Sequence, residues 1–219
     1  MKLYKGKIEF DSIENTPEAI PYSLYTDDSS MEAVGSYSHL DAEGFLQTIM
    51  DNTDRRQPGK VVDLGSGGGV PALILADSLK NWSFVLIERK KKRANFLLWA
   101  IKTLSVEERV EIICDEVENV ARNKKYEESA DFVTARSFGP PPTTAECACR
   151  LLKLRGFLVV SEPPTTTKRW ENPALEETGL ISTKTYKQEN GTFQVLQLQK
   201  NPGNRLPRRP GVPKKRPLW

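Results

Sequence analysis

Apolar residues along the chain fall into runs whose period changes, and each change marks an element. Before residue 38 no period is sustained. Pro17, Pro21 and the polar stretch 27–30 break up scattered apolar positions, which predicts a loosely structured lead-in. From His39 to Met50, Leu40, Phe45, Leu46 and Ile49 recur near helical spacing, so one helix is expected ahead of the core. DNTDRRQPG (51–59) has the composition of a loop. From Lys60 a regular alternation begins. KVVDL is a short apolar run closed by GSGGG (65–69), and a helix over about 70–80 follows with Leu73, Ile74 and Ala76 on its apolar side. FVLIE (84–88) reads as a second buried strand. Phe96, Leu97, Ala100, Ile101 and Leu104 then stripe a helix over about 90–104. RVEIIC (109–114) and DFVTAR (131–136) supply the third and fourth strands. A helix over about 142–153 leads into GFLVVSE (156–162), the fifth. Strands alternating with helices at this pace predict a parallel sheet covered on both faces.

The end of the pattern differs. TYKQ (185–188) and TFQVLQLQ (192–199) flank Asn190-Gly191, a dipeptide suited to a type I′ hairpin because both positions tolerate positive φ. The last two strands are therefore expected to be antiparallel. Residues 200–219 hold five prolines and two glycines, which predicts an extended or wrapped segment without helix or central strand.

Composition adds limits. At 219 residues, 38% hydrophobic and 28% charged, the chain matches an ordinary globular protein with one core. The longest apolar stretch, Val70–Ala76, is far short of the roughly 20 residues a bilayer span needs, and the N-terminus lacks a signal-like apolar region. No membrane association, a cytoplasmic location and a monomeric state are expected. Cys114, Cys147 and Cys149 form neither an even framework nor a CxxC pair, so free thiols and no metal site are expected. Charge is unevenly spread: residues 1–59 carry 11 acids and 5 bases, residues 60–189 carry 18 and 20, and residues 190–219 carry no acid and 7 bases. The chain thus divides into a lead-in (1–59), a core domain (60–199) and a basic tail (200–219), the last attractive to a polyanion.

The candidate chemistry centres on VVDLGSGGGVPA. Gly65, Gly67 and Gly69 let backbone N–H groups approach a ligand at a helix N-terminus. Many nucleotide cofactors use such a loop, and Asp63 narrows the choice. A carboxylate two residues before the first glycine repels a pyrophosphate but suits the ammonium of S-adenosyl-L-methionine. Glu88 ends the second strand 23 residues after Gly65, where an acid meets ribose hydroxyls. With the reversed final strand, these residues point to an α/β, Rossmann-like, class I S-adenosyl-L-methionine-dependent methyltransferase fold with a seven-stranded sheet. CDEVENV (114–120) is expected as a loop at the adenine edge, with Asp115, Glu116, Val117 and Glu118 all in reach. The run Arg89–Arg93 reads as a solvated helix face.

The acceptor is narrowed by elimination. ARSFGPP, after the fourth strand, lacks the acid or amide that holds an exocyclic amine. SEPP (161–164) follows the wrong strand and reads as a turn. Cys147 and Cys149 sit mid-helix as packing residues rather than as the nucleophile that pyrimidine C5 methylation requires. An acceptor that is already nucleophilic, such as guanine N7, needs only positioning and desolvation.

VVDLGSGGGVPALILA, FVLIE, KKRANFLLWAI, DEVENV, DFVTARSF and the terminal PRRPGVPKKRPL together resemble the bacterial 16S ribosomal RNA guanine-N7 methyltransferases (RsmG or GidB type), over roughly residues 60–219. The resemblance implies that Gly65 and Val70 line the cofactor, that Val117 and Glu118 border its adenine, and that Arg136 faces the active-site pocket. It implies ribosomal RNA, or the small ribosomal subunit, as partner, with Arg208, Arg209, Lys214, Lys215 and Arg216 of the tail as its contacts. Arg136 would hold the cofactor carboxylate or a target phosphate. The sequence departs from the family at SHLDAEG (38–44), where only His39 and Asp41 echo the usual element, and at Ser161-Glu162-Pro163. Two alternatives stay open: methylation of a small molecule or protein, and a non-catalytic relative that binds cofactor and RNA.

Overall fold

A computed structural model describes residues 42–53, 57–163, 168–188 and 191–219. Residues 1–41 of the lead-in, with His39, Asp41 and the start of the first expected helix, lie outside the described residues, as do Pro164 and Asn190. The elements are α1 (42–50), β1 (Lys60–Leu64), α2 (Ala72–Ser78), β2 (Ser83–Ile87), α3 (Lys91–Thr103), β3 (Val110–Ile113), α4 (Val117–Ala121), β4 (Ala130–Ala135), α5 (Pro141–Cys149), β5 (Leu152–Glu162), β6 (Leu180–Gln188), β7 (Gly191–Leu198) and α6 (Val212–Lys215). A 3-10 segment, Pro173–Thr178, leads into β6.

The seven strands form one sheet in the order β3-β2-β1-β4-β5-β7-β6. β1 to β5 are mutually parallel, and β7 runs antiparallel to both β5 and β6. The strand order turns back between β1 and β4, both parallel neighbours in the sheet centre, and ligands of open α/β sheets bind outside the carboxyl ends at such a point. Successive strand residues face opposite layers, which accounts for the unbroken apolar runs. Val61, Phe84, Leu86 and Phe132 pack under α1, α2 and α3, whereas Val62, Leu64, Val85 and Val133 pack under α4 and α5. Among the described residues no helix is long and apolar enough to cross a membrane.

Several boundaries differ from the sequence expectation. The fifth strand begins at Leu152 rather than at Gly156, and α5 ends at Cys149. The cause is an irregularity: the β4–β5 register shifts between Ala130 and Phe132, and Arg155 takes a φ of 70°. The strand therefore enters the sheet before the glycine that marks it in sequence. Residues 117–120, expected as loop, form most of the short helix α4. The hairpin is shifted as well. Gly191 pairs with Gln188 in the ladder and so belongs to β7 instead of the turn, and β6 starts at Leu180. Ser161 and Glu162 are the last residues of β5 and pair with Phe193 and Thr192, in line with the strand GFLVVSE (156–162) and against the turn expected of SEPP. The tail does contain a helix. In α6 Pro213 lies in the first turn, where a missing N–H breaks no helical hydrogen bond, and Gly211 caps it at φ 79°.

Candidate active site at the carboxyl edge of the sheet

The glycine loop leaves β1 at the strand order's turning point. Gly65 and Gly69 have φ values of 65° and 87°, a region that L side chains rarely adopt. A Cβ on Gly65 would stand 3.0 Å from Phe138 Cδ2, and one on Gly69 would collide with Leu73. The loop is closed by backbone bonds: the Ser66 N–H donates to Ile87 O at 3.0 Å and the Gly69 N–H to Ser66 O at 2.7 Å.

Asp63 sits inside β1, 1% exposed. It lies in register with Thr134 of β4, whose hydroxyl donates to Asp63 Oδ1 at 2.6 Å. Burial pushes its carboxyl above the usual carboxylate range, against the pull of Thr134 and of the Arg136 charge. A carboxylate held out of water in this way gains most from a cation. Glu88, also buried, reaches back to the loop. Its Oε2 accepts from the Gly67 N–H at 3.0 Å, and its Oε1 from the Lys90 N–H at 2.8 Å at the start of α3. Both sequence-predicted acids therefore converge on the glycine loop, together with half-buried Val70.

Val117 is part of the core under α4, and Glu118 is buried beside it. Glu118 Oε1 accepts from the Gly211 N–H at 3.0 Å, which joins the expected adenine edge to the tail. Glu116 instead pairs with Arg89 at the surface. Arg89, Lys90, Lys91 and Lys92 are exposed, as expected of a solvated face, whereas Arg93 is half-buried with its guanidinium near Gly67. Cys147 and Cys149 are buried, and burial pushes both thiols up, so neither is a thiolate nucleophile near neutral pH.

Arg136 follows β4 and lines a cleft of about 350 Å³ with Phe138, Glu162, Arg169, Thr192 and Phe193. Its volume falls within the roughly 300–1,000 Å³ of ligand pockets. Sequence reasoning missed three residues. Thr134 is a buried hydroxyl residue in β4 whose partner emerges only from the β1–β4 register. Glu162 was hidden by the prolines that follow it. Glu146 is 0% exposed inside α5 and takes a bidentate bond from Arg208 at 2.8 and 2.5 Å, with the Arg208 N–H on the same carboxylate. Arg208 is thus fastened to the fold, whereas Arg209, Lys214, Lys215 and Arg216 are exposed.

A model of the family described as rRNA small subunit methyltransferase G matches residues 41–179. A ribosomal RNA small subunit methyltransferase G from Dictyoglomus thermophilum is 32% identical over 166 residues, covering 73% of this chain and 68% of its own. That of Leuconostoc citreum is 28% identical over 216 residues, covering 95% and 88%. Among solved structures, a SAM-dependent methyltransferase from Aquifex aeolicus superposes with a TM-score of 0.53 at 16% identity, covering 87% of this chain and 98% of its own. An RNA methyltransferase from Salinibacter ruber, in complex with S-adenosyl-L-homocysteine, gives 0.54 at 17%, covering 73% and 90%. At such identities the structural likeness bears on the fold, which is the class I methyltransferase fold.

Proposed function

The chain belongs to the rRNA small subunit methyltransferase G family, and from that membership we propose that it methylates N7 of a guanine in small-subunit ribosomal RNA, in the cytoplasm, with S-adenosyl-L-methionine as donor. The observation that carries this reading is the family match together with a donor set that fits the cofactor. Asp63 and Glu88 put two carboxylates against the glycine loop, an arrangement hostile to a pyrophosphate and favourable to an ammonium and two ribose hydroxyls.

Asp63 receives the ammonium, its burial in favour of that pairing. Glu88 meets the ribose hydroxyls with lone pairs beyond those given to the Gly67 and Lys90 N–H groups. Gly65, Gly67 and Val70 line the cofactor. Val117 and Glu118 border its adenine, and Arg136 holds its carboxylate or a phosphate of the target. When bound, S-adenosyl-L-methionine would supply an electrophilic methyl group for N7. The guanine loses no proton, so the site needs no general base. Its work is to position the base and exclude water. Arg209, Lys214, Lys215 and Arg216 contact RNA phosphates, and Arg208 anchors the segment that carries them.

Purified protein incubated with labelled cofactor and small-subunit RNA should label the RNA, with borohydride–aniline scission at one guanine. Intact cofactor binding with unlabelled RNA, or a methyl found on a metabolite or protein instead, would end this reading.

A further inference from the structure

Among the described residues that line the cleft, Glu162 is the one carboxylate, and two hydrogen bonds hold it in place. Glu162 ends β5 opposite Thr192 of β7, with its side chain 10% exposed. Its Oε1 accepts from Trp170 Nε1 at 2.9 Å and its Oε2 from Arg169 Nη1 at 3.0 Å. Trp170 is a core residue, 4% exposed, so the carboxylate is held from beneath. Each carboxylate oxygen has a second lone pair, which leaves one acceptor per oxygen for a ligand in the cleft.

The strand order fixes what fits between. β4 separates β1 from β5, so Glu162 lies two strand spacings, about 9.6 Å, across the sheet from the strand that feeds the loop. Phe138, whose ring a Cβ on Gly65 would meet at 3.0 Å and which also lines the cleft, places an aromatic ring between the two. A flat base lying on it would present one edge to the loop and the opposite edge to Glu162.

We infer that Glu162 reads the Watson–Crick edge of the acceptor guanine and is the specificity-determining residue of the cleft, an inference that rests on the guanine-N7 reading above. Guanine presents N1–H and N2–H side by side, two donors for two acceptor oxygens. Adenine and cytosine set a ring-nitrogen lone pair against the carboxylate, and uracil offers a single donor. N7 lies on the far side of the purine from that edge, so a guanine held at Glu162 turns N7 towards the glycine loop. Methylation at N7 also leaves the ring positively charged. The attraction to Glu162 therefore grows along the reaction, and the contact favours the transition state over the bound substrate.

Glu162 also ties down Trp170 and Arg169, and the test must separate that tie from base reading. The full chain and Glu162→Gln, whose amide oxygen still accepts from Trp170, are assayed on an RNA carrying guanosine or inosine at the mapped position. Inosine lacks the 2-amino group. Anisotropy of the same RNAs without cofactor, cofactor affinity by calorimetry and Tm are read alongside.

The wild type should lose roughly 5- to 150-fold in kcat/KM on inosine, the range of a good bidentate base contact. Glu162→Gln should lose about as much on guanosine, chiefly in kcat. It should bind cofactor normally and no longer distinguish the two bases in rate or anisotropy. A variant that keeps the wild-type guanosine-to-inosine ratio overturns the inference and leaves the guanine-N7 reading standing. A wild type that treats inosine like guanosine does the same, whether or not the variant folds. Methylation of RNA at no guanine removes both.

Discussion

Asp63 carries the site's most demanding electrostatics, and its burial sets two pH dependences. A carboxyl whose pKa is higher in the folded than in the unfolded chain takes up a proton on folding, so stability falls as pH rises between those two values. Asp63→Asn removes that penalty. Its Tm should match the wild type at about pH 3 and exceed it at about pH 8, a difference that scanning calorimetry reads directly. Cofactor binding should run the other way. An ammonium requires the ionised carboxylate, so wild-type affinity should tighten as pH rises through the raised pKa. Asp63→Asn should lose more than about tenfold, or 1.4 kcal/mol, near neutrality. Asp63 and Glu88 were legible in the sequence because an acid inside or at the end of an apolar strand has few structural reasons to be there. Thr134 and Glu162 were not, since each is defined by a partner that only the fold supplies, the β1–β4 register for one and the Trp170 indole for the other.

Among the elements, glycine positions divide by what surrounds them. Gly69→Ala places a side chain at φ 87°, costing about 1–2 kcal/mol in backbone terms, and drives it against the flexible end of Leu73. Gly156→Ala faces backbone carbonyl oxygens of Lys153, Asp131 and Ala130, all within 3.1 Å, which cannot swing aside. Urea denaturation should therefore show Gly156→Ala to be strongly destabilised with cofactor affinity intact. Gly69→Ala should lose affinity as well, because Gly69 shapes the loop. The same irregularity limited the reading of β5: hydrophobic alternation begins at Gly156, whereas the strand is held from Leu152 by pairing to Ala130. Strands buried on both faces were plain in the sequence. The short helices α4 and α6 were not, since neither is long enough to show a period.

For the molecule as a whole, the tail is a structural part of the domain. Leu206 is 1% exposed in the core, Thr143 Oγ1 donates to Pro213 O, and Arg208 grips the buried Glu146. Arg208→Ala strands that carboxylate and should cost about 3–5 kcal/mol in chemical denaturation, whereas Glu146→Gln with Arg208→Ala should cost less. The exposed cations behave differently. Replacing Arg209, Lys214, Lys215 and Arg216 by Gln should leave Tm unchanged. It should also flatten the log K against log salt slope for RNA by roughly 0.7 per lost phosphate contact. The basic composition of residues 190–219 announced a polyanion partner, but nothing in it announced Glu146 or Glu118 as moorings, because both acids lie far away in the chain. Under the proposed function, a cationic strip fastened in this way would meet RNA with its backbone already shaped, so that association would cost mainly the freedom of the exposed Lys and Arg side chains. Isothermal titration should accordingly show the modest heat-capacity change of rigid docking, and a free peptide of residues 200–219 should bind RNA far more weakly than its charge alone would suggest.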